Sequence, residues 1–258
     1  MEVHAHTHTV PIAIGRKKFT HYLWEFLMLF LAVFCGFLAE YQLEHKIEKD
    51  KAKQFIVSFY EDLNADTIKI NSLSKYDNEK IAALSNMVSC YDLISKNNMT
   101  TECLVELLRH SKSNRSFQAT DRTLKQLTYA GGFRLLYKED ADSILGYQSL
   151  FKDYQDFEAT IFQSAQDNVR GTTNELFSFK NIHPMLQQNI SLITNIDTTR
   201  FDLQGRLTFS DDKFLLNKWF NELSVYLRVT KAQLNLLFAF KEKASRLLIY
   251  FKQKYHFA

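Results

Sequence analysis

The 258-residue chain has few residues that interrupt helices. It contains 7 glycines and 2 prolines, and the two prolines, Pro11 and Pro184, leave long stretches without a helix breaker. Proline removes a backbone donor and glycine costs helix stability, so their scarcity favours long helices and few turns. The sequence therefore predicts an all-α fold, with a bundle of long antiparallel helices.

The sequence also lacks a segment in which charges of one sign are clustered. The 32 basic and 29 acidic residues are intermixed along the chain and leave a net charge of +3. Nucleic-acid-binding proteins gather lysine and arginine on one face or in one block. The charge pattern therefore excludes nucleic acid from the predicted partners.

Recognisable catalytic motifs are lacking as well. Beyond the tail and the first apolar run, the histidines are isolated, and none stands in a known motif with a serine or cysteine nucleophile: His45, His110, His183 and His256. Gly131 and Gly132 follow no predicted strand, so a loop that cradles phosphate is not indicated. The sequence predicts a protein that is not an enzyme and binds no cofactor.

What the chain does contain is one long apolar run at residues 22–41, YLWEFLMLFLAVFCGFLAEY. Glu25 and Glu40 are its only charged residues. A helix of about 20 residues, rising about 1.5 Å per residue, crosses a hydrocarbon layer of about 30 Å. Tyr22 and Tyr41 stand at its ends, where aromatic side chains favour the membrane interface. The run predicts one transmembrane helix, with the lipid bilayer as its partner.

The residues around this run predict its orientation. Arg16, Lys17 and Lys18 precede it, whereas the first basic residue after it is Lys46. Because positive charges favour the cytoplasmic side, residues 1–21 are predicted to form a short cytoplasmic tail. Residues 42–258 then form a helical soluble domain outside the cytoplasm. Phe37 occupies a position where a signal peptidase needs a small residue, so the run is predicted to be a permanent anchor.

Apolar residues at helical spacing continue beyond the run to about Ser95, with a predicted break near residues 71–78. Asp121 is predicted to cap a short helix that ends at Gly131 and Gly132. A second long helix, running to about Phe179, is predicted from an apolar stripe consisting of Ile144, Tyr147, Phe151, Tyr154, Ile161 and Ala165.

The last part of the chain is predicted to contain a short β-hairpin followed by a long helix. Residues 200–209, RFDLQGRLTF, alternate around Gln204 and Gly205 as one short β-hairpin would. Asp211 and Asp212 are then predicted to open a final helix from Lys213 to about Lys252.

Three segments carry a resemblance to a known family: EFLMLFLAVFCGFLAEYQLEHKIEKDKAK, FYEDLNAD and ATDRTLKQLTYAGGFRLLYKEDADSILGYQSLF. They resemble an uncharacterised family of bacterial proteins with a single N-terminal membrane anchor and an α-helical remainder. The resemblance covers roughly a third of the chain. It implies a bacterial inner-membrane protein with one N-terminal span, and it implies no activity or functional residue. Together with the orientation predicted from the basic residues, it predicts that the soluble domain lies in the periplasm.

Three histidines alternate in the tail, His4, His6 and His8. Imidazoles at every second residue of an extended chain are candidate ligands for Zn²⁺, Ni²⁺ or Cu²⁺. A solvated tail without metal is the alternative, because no carboxylate or cysteine stands beside them to complete a closed site.

Glu25, Ala32, Gly36 and Ala39 lie on one face of the predicted anchor helix. Small residues four apart let two membrane helices approach closely, and a glutamate on that face can hydrogen-bond across it. These residues predict an oligomer seam between copies of the chain. In the alternative, the small residues are ordinary membrane residues and Glu25 reaches the headgroups.

Cys90 and Cys103 flank a predicted turn between two helices, so they are a candidate disulfide if the domain lies in an oxidising compartment. Two buried free thiols are the alternative.

The sequence favours a membrane-anchored helical scaffold that binds an unknown protein partner. The rival hypothesis is a ligand-sensing or enzymatic bundle with a pocket between its helices. Asp66, Asp77 and Lys80 discriminate between the two, because a pocket is favoured if they are buried together.

Overall fold

The computed structural model describes residues 19–95, 101–180, 183 and 212–257. Its α-helices are α1 (Phe19–Ser85), α2 (Met87–Ser95), α3 (Thr101–Lys112), α4 (Arg122–Tyr129), α5 (Lys138–Phe157), α6 (Gln163–Leu176) and α7 (Lys213–Tyr255). A 3₁₀ turn spans Gly132–Leu135, and one turn of π-helix, Glu158–Phe162, joins α5 to α6. The regular structure of the described residues is helical, which confirms the all-α prediction. The hairpin predicted at 200–209 lies outside the described residues.

The chain divides into two compact units, Met1–Lys51 and Ala52–Ala258. In the first unit the described residues, 19–51, form the beginning of α1, and every one of them is exposed. This segment includes a helical stretch that is long enough and apolar enough to cross a membrane, and none of that stretch is buried.

The second unit contains two apolar cores. The Phe240 core takes residues from α1, α4, α5 and the second half of α7, including Phe59, Leu127, Tyr147, Phe240 and Phe251. The Trp219 core takes residues from the end of α1, from α2, α3 and α6, and from the first half of α7, including Leu84, Leu104, Val169, Trp219 and Leu223. Each fully buried side chain of this size stabilises the fold by about 1.5–3 kcal/mol.

Helix α1 does not break near residues 71–78. It continues to Ser85, and the turn falls at Asn86. The polar residues that suggested a break lie within the continuous helix. Asp77 and Lys80 are fully buried, and Asn78 Nδ2 donates to the carbonyl of Ser74 at 2.8 Å. The predicted break was therefore wrong.

The π-turn changes which residues face inward. A π-turn holds an extra residue compared with an α-helical turn, so it rotates the side chains that follow. Ile161, predicted to lie in the buried stripe, is 54% exposed, whereas its neighbour Phe162 is fully buried. The placement of Ile161 was wrong because helical spacing alone cannot indicate an inserted residue.

Helix α4 takes its N-terminal cap from another helix. Asp121 stands at the N-cap position, but its side chain makes no cap hydrogen bond and pairs with Lys125 Nζ at 2.7 Å. Asp62 of α1 accepts instead, from Thr123 N and from Arg122 Nη2, both at 3.0 Å. The predicted capping role of the Asp121 side chain was therefore wrong, although the helix begins where predicted.

The other helix ends follow the sequence. Gly131, after α4, has φ of 63°, a left-handed conformation that glycine adopts without steric cost. Asp212 caps α7 by accepting from Phe214 N at 2.8 Å and from Leu215 N at 3.4 Å. Both predictions are confirmed.

Candidate functional site

A polar layer separates the two cores of the second unit. On α1, Asp77 and Lys80 lie between Tyr76 of the Phe240 core and Leu84 of the Trp219 core. Glu158 and Gln233 occupy the equivalent positions on the π-turn and on α7. The polar layer is defined by seven residues: Asp77, Lys80, Asn114, Glu158, Gln166, Tyr226 and Gln233.

Lys80 lies at the centre of this layer and is fully buried. Its Nζ donates to the Tyr226 hydroxyl at 3.1 Å and to Asn114 Oδ1 at 3.3 Å. The same Nζ lies 5.2 to 5.4 Å from the ring centres of Tyr76, Phe162 and Tyr226, within the range of cation–π attraction. Burial lowers the pKa of Lys80 to about 8, against the opposing attraction of Asp77.

The uncharged members hold one another in place. The Tyr226 hydroxyl donates to the carbonyl of Ser113 at 3.3 Å and also accepts from Gln166 Nε2 at 3.4 Å. Burial raises the pKa of Tyr226, so the ring stays neutral. Gln233 Nε2 donates to the Tyr154 hydroxyl at 3.1 Å and to Glu158 Oε1 at 3.3 Å.

Glu158, at the start of the π-turn, is fixed by the segment between α3 and α4. Its Oε1 also accepts from Asn114 Nδ2 at 3.5 Å, and its Oε2 accepts from the Ser116 hydroxyl. Single π-turns occur frequently at functional sites, and this one places a half-buried carboxylate at the polar layer. The polar layer is therefore the candidate functional site.

Asp77 differs from the rest of the layer. It is fully buried, yet neither carboxylate oxygen accepts a hydrogen bond from the residues that the structure describes. Gln233 Oε1 is likewise buried without a partner. Burial raises the pKa of Asp77 to about 6; Lys80 lowers it and Glu158 raises it further. The layer thus holds a carboxyl group whose pKa is raised by burial and an amine whose pKa is lowered by burial.

The other buried aspartates are saturated with donors. Asp66 accepts from the backbone and hydroxyl of Thr120 at 2.7 and 2.8 Å and from the Tyr147 hydroxyl at 2.8 Å. Asp140 accepts from the Tyr250 hydroxyl at 2.7 Å, from Lys254 Nζ at 2.8 Å and from the Tyr255 hydroxyl. These contacts, like those of Asp62, join separate helices and have a structural role.

The three residues chosen to test for a pocket are all fully buried, but they do not form one cluster. Asp77 and Lys80 belong to the polar layer, whereas Asp66 lies 11 residues earlier on α1, roughly 16 Å along the helix axis. Three surface grooves, of about 320, 710 and 430 Å³, are lined by other residues.

Cys90 and Cys103 lie together. Their Cα atoms are 5.8 Å apart, within the range for a disulfide, and their sulfur atoms are in contact. Cys90 is buried in the Trp219 core. Whether the bond forms depends on the compartment, so the disulfide stays a prediction.

The predicted seam residues Glu25, Ala32, Gly36 and Ala39 are all exposed on α1. Glu25 Oε1 lies 3.1 Å from His21 Nε2, one turn earlier, and a Cβ added at Gly36 would meet no atom within 4 Å. His4, His6 and His8 lie outside the described residues. Among those described, no group of three potential metal-ligating side chains occurs.

Sequence reasoning missed several members of the polar layer, namely Asn114, Glu158, Gln166, Tyr226 and Gln233. Tyrosines recurring within apolar stripes were the available signal, because a buried tyrosine needs a partner for its hydroxyl. Glu158 had no such signal, since its position depends on the π-turn.

The chain matches no protein-family model, no curated protein and no solved structure. Its function is therefore inferred from its own residues.

Proposed function

We propose that the chain is a single-pass protein of the bacterial inner membrane, whose helical domain is a structural and interaction module that binds a protein partner. The observation that carries the proposal is the exposure of the apolar segment within residues 22–41, none of which is buried. The second unit buries its own cores, so the exposed segment needs another apolar environment. A hydrocarbon layer supplies one.

Two matched double variants test the anchor. Leu29→Arg with Val33→Arg places two charges in the segment, where the native side chains are 70% and 73% exposed. The control, Ile68→Arg with Val88→Arg, changes side chains that are 70% and 69% exposed in the second unit. Each arginine in a membrane-spanning helix costs about 2.5–3.5 kcal/mol by insertion measurements, so only the first variant should leave the membrane fraction after alkaline extraction.

The same experiment distinguishes the alternatives. Extraction of the unmodified chain by alkali would indicate a helix of a soluble protein. A mature product that lacks the segment, detected by mass spectrometry, would indicate a cleaved signal sequence. Either result would overturn the proposal of a permanent anchor.

The proposed orientation, with the domain in the periplasm, rests on the tail lysines and arginine. A chain with Cys35→Ser and Lys252→Cys carries an exposed thiol at the end of α7. We expect a membrane-impermeant maleimide to label it in intact cells, whereas a Lys17→Cys control should label only after lysis. Protection of the first thiol until lysis would reverse the orientation and make the Cys90–Cys103 bond unexpected.

We also propose that copies of the chain associate through the seam of Glu25, Ala32, Gly36 and Ala39. The support is the open space at Gly36 and the single-face spacing of the small residues. Gly36→Leu should lower the oligomer fraction measured by chemical cross-linking in membranes. Phe34→Leu, on the opposite face, should leave it unchanged.

The rival proposal of a ligand-binding or enzymatic bundle has one observation in its favour, the burial of Asp77 and Lys80 in the same layer. The grooves described above do not lead to either side chain. Native mass spectrometry of the detergent-purified chain tests it, because a retained small molecule that is lost in Lys80→Met would favour this proposal over a scaffold.

A further inference from the structure

A buried carboxylate without donors is an unusual arrangement. An ionised group removed from water costs several kcal/mol unless charges or hydrogen bonds compensate it, and the usual response is to take up a proton. Asp77 is fully buried and accepts no hydrogen bond from the described residues. Lys80, the cation that acts on Asp77, directs its two hydrogen bonds to Tyr226 and Asn114 instead.

The charged and titratable groups around Asp77 come from several elements, and they include Arg109 of α3 and Arg115 of the segment after it, both of which act on Tyr76. Lys80, on the same helix, favours the ionised form, whereas Glu158 of the π-turn disfavours it. Tyr76, Tyr154 and Tyr226, from α1, α5 and α7, also feel the charge of Asp77, and burial raises the pKa of each, so they stay neutral. Arg170 of α6 acts on Lys80 and Tyr226. Desolvation outweighs the attraction of Lys80 at Asp77.

We propose that Asp77 is a proton-binding site inside the helical domain, and that loss of its proton weakens the packing of α1 against the π-turn and α7. The ligand is the proton itself. The packing is sensitive to this charge because Glu158, whose charge acts on Asp77, is hydrogen-bonded to Gln233 of α7 and to Asn114. The site does not depend on the membrane anchor.

The sign of the pH dependence follows from the direction of each shift. The pKa of Asp77 rises from 3.8 to about 6 on folding, so between these values the unfolded chain releases a proton that the folded chain keeps. Stability therefore falls as pH rises through this window and levels off above it. Lys80 has its pKa lowered from 10.5 to about 8, so stability rises again as pH rises through that second window. Asp77 and Lys80 together should therefore lower the stability of the domain most between about pH 6 and pH 8.

The experiment uses the full chain in detergent micelles. The chain has two tryptophans, and a Trp24→Phe background leaves buried Trp219 as the only tryptophan reporter of the domain. Denaturant unfolding is followed by its fluorescence from pH 4 to pH 8, with and without Asp77→Asn. At each pH we divide the equilibrium constant for unfolding of the chain with Asp77 by that of Asp77→Asn. We expect this ratio to rise on the order of 100-fold between pH 4 and pH 7.

Asp66→Asn is the matched control, because Asp66 is equally buried on the same helix but saturated with donors. That variant should keep the step between pH 4 and pH 6, since Asp77 is intact. Lys80→Met is a second test, because it removes the cation that favours ionised Asp77 and should move the step to higher pH.

Infrared spectroscopy keeps the proposal testable even if Asp77→Asn does not fold. Ordinary carboxyl groups are almost fully ionised above about pH 6. The C=O stretch of a protonated carboxylic acid should therefore still titrate between pH 6 and pH 8 in the unmodified chain, and in Lys80→Met it should persist to higher pH. A ratio of unfolding constants that stays flat, or a spectrum without that titration, would overturn the proposal. Asp77 would then be an ionised carboxylate held by ordered water or a bound cation.

Discussion

Asp66 and Asp77 stand 11 residues apart on the same helix, and both are fully buried. Asp66 accepts three hydrogen bonds, whereas Asp77 accepts none from the described residues. Burial alone therefore does not determine what a carboxylate does inside this bundle. The donors that face it decide whether it joins helices or takes up a proton.

The difference arises from the segment between α3 and α4. At Asp66 this segment presents the backbone amide and hydroxyl of Thr120, and α5 adds a tyrosine hydroxyl. Near Asp77 the same segment presents Asn114, which is already engaged by Lys80 and Glu158. Lys80 and Asn114 therefore direct their hydrogen bonds to other members of the polar layer rather than to Asp77.

Removing the saturated carboxylate should give the largest effect. Asp66→Ala leaves the amide and hydroxyl of Thr120 and the hydroxyl of Tyr147 without their acceptor, so we expect a loss of about 3–5 kcal/mol in the free energy of unfolding at pH 7. Denaturant titration of Trp219 fluorescence measures it. Asp121→Ala, at an exposed surface pair, should cost less than about 1 kcal/mol. Equal losses in both would mean that the Asp66 contacts contribute little.

Neutralising Asp77 should have the opposite sign. At pH 7 Asp77→Asn removes a charge that burial disfavours, and we expect a gain of about 1–3 kcal/mol in the free energy of unfolding, bounded by the shift of its pKa to about 6. Repeating the titration at pH 4, where the native aspartic acid is also neutral, should shrink the gain to within about 0.5 kcal/mol. Destabilisation at pH 7 would contradict the contrast with Asp66.

The smallest effect should come from removing one donor at Asp66. Tyr147→Phe deletes the hydroxyl that donates to Asp66 Oδ2 at 2.8 Å and keeps the ring that stacks on Phe240 with centres 4.3 Å apart. We expect a loss of about 1–2 kcal/mol, measured by the same titration. Tyr129→Phe, at a ring that is 85% exposed, provides the control and should change nothing. A loss as large as that of Asp66→Ala would place most of the Asp66 energy in this single bond.

Helical spacing and turn residues were sufficient to predict the all-α fold and two of the helix ends. The cap at Asp212 and the left-handed Gly131 both follow from neighbouring residues, so the sequence indicates them. Both aspartates and Lys80 were also singled out, because polar residues interrupt an otherwise apolar face.

The continuity of α1, the π-turn and the different surroundings of Asp66 and Asp77 could not be predicted, because they depend on contacts between distant parts of the chain. The polar residues near Asp77 led to the wrong prediction of a helix break. Their burial in α1 depends on partners far along the chain, such as Tyr226, which the local sequence does not indicate. The π-turn at Glu158 is an inserted residue that a repeating pattern conceals, and the unequal donor supply of Asp66 and Asp77 depends on where the segment after α3 passes. None of these can be derived from local propensity.

The cap that Asp62 supplies to α4 also has a consequence for the order of folding. Helix α4 has 8 residues, fewer than the roughly 12–15 that an isolated helix needs to be even marginally stable in water. Its first turn is bound by a side chain 61 residues earlier. During synthesis α1 emerges first and carries this acceptor, so α4 becomes stable only by docking on a helix that the ribosome has already released.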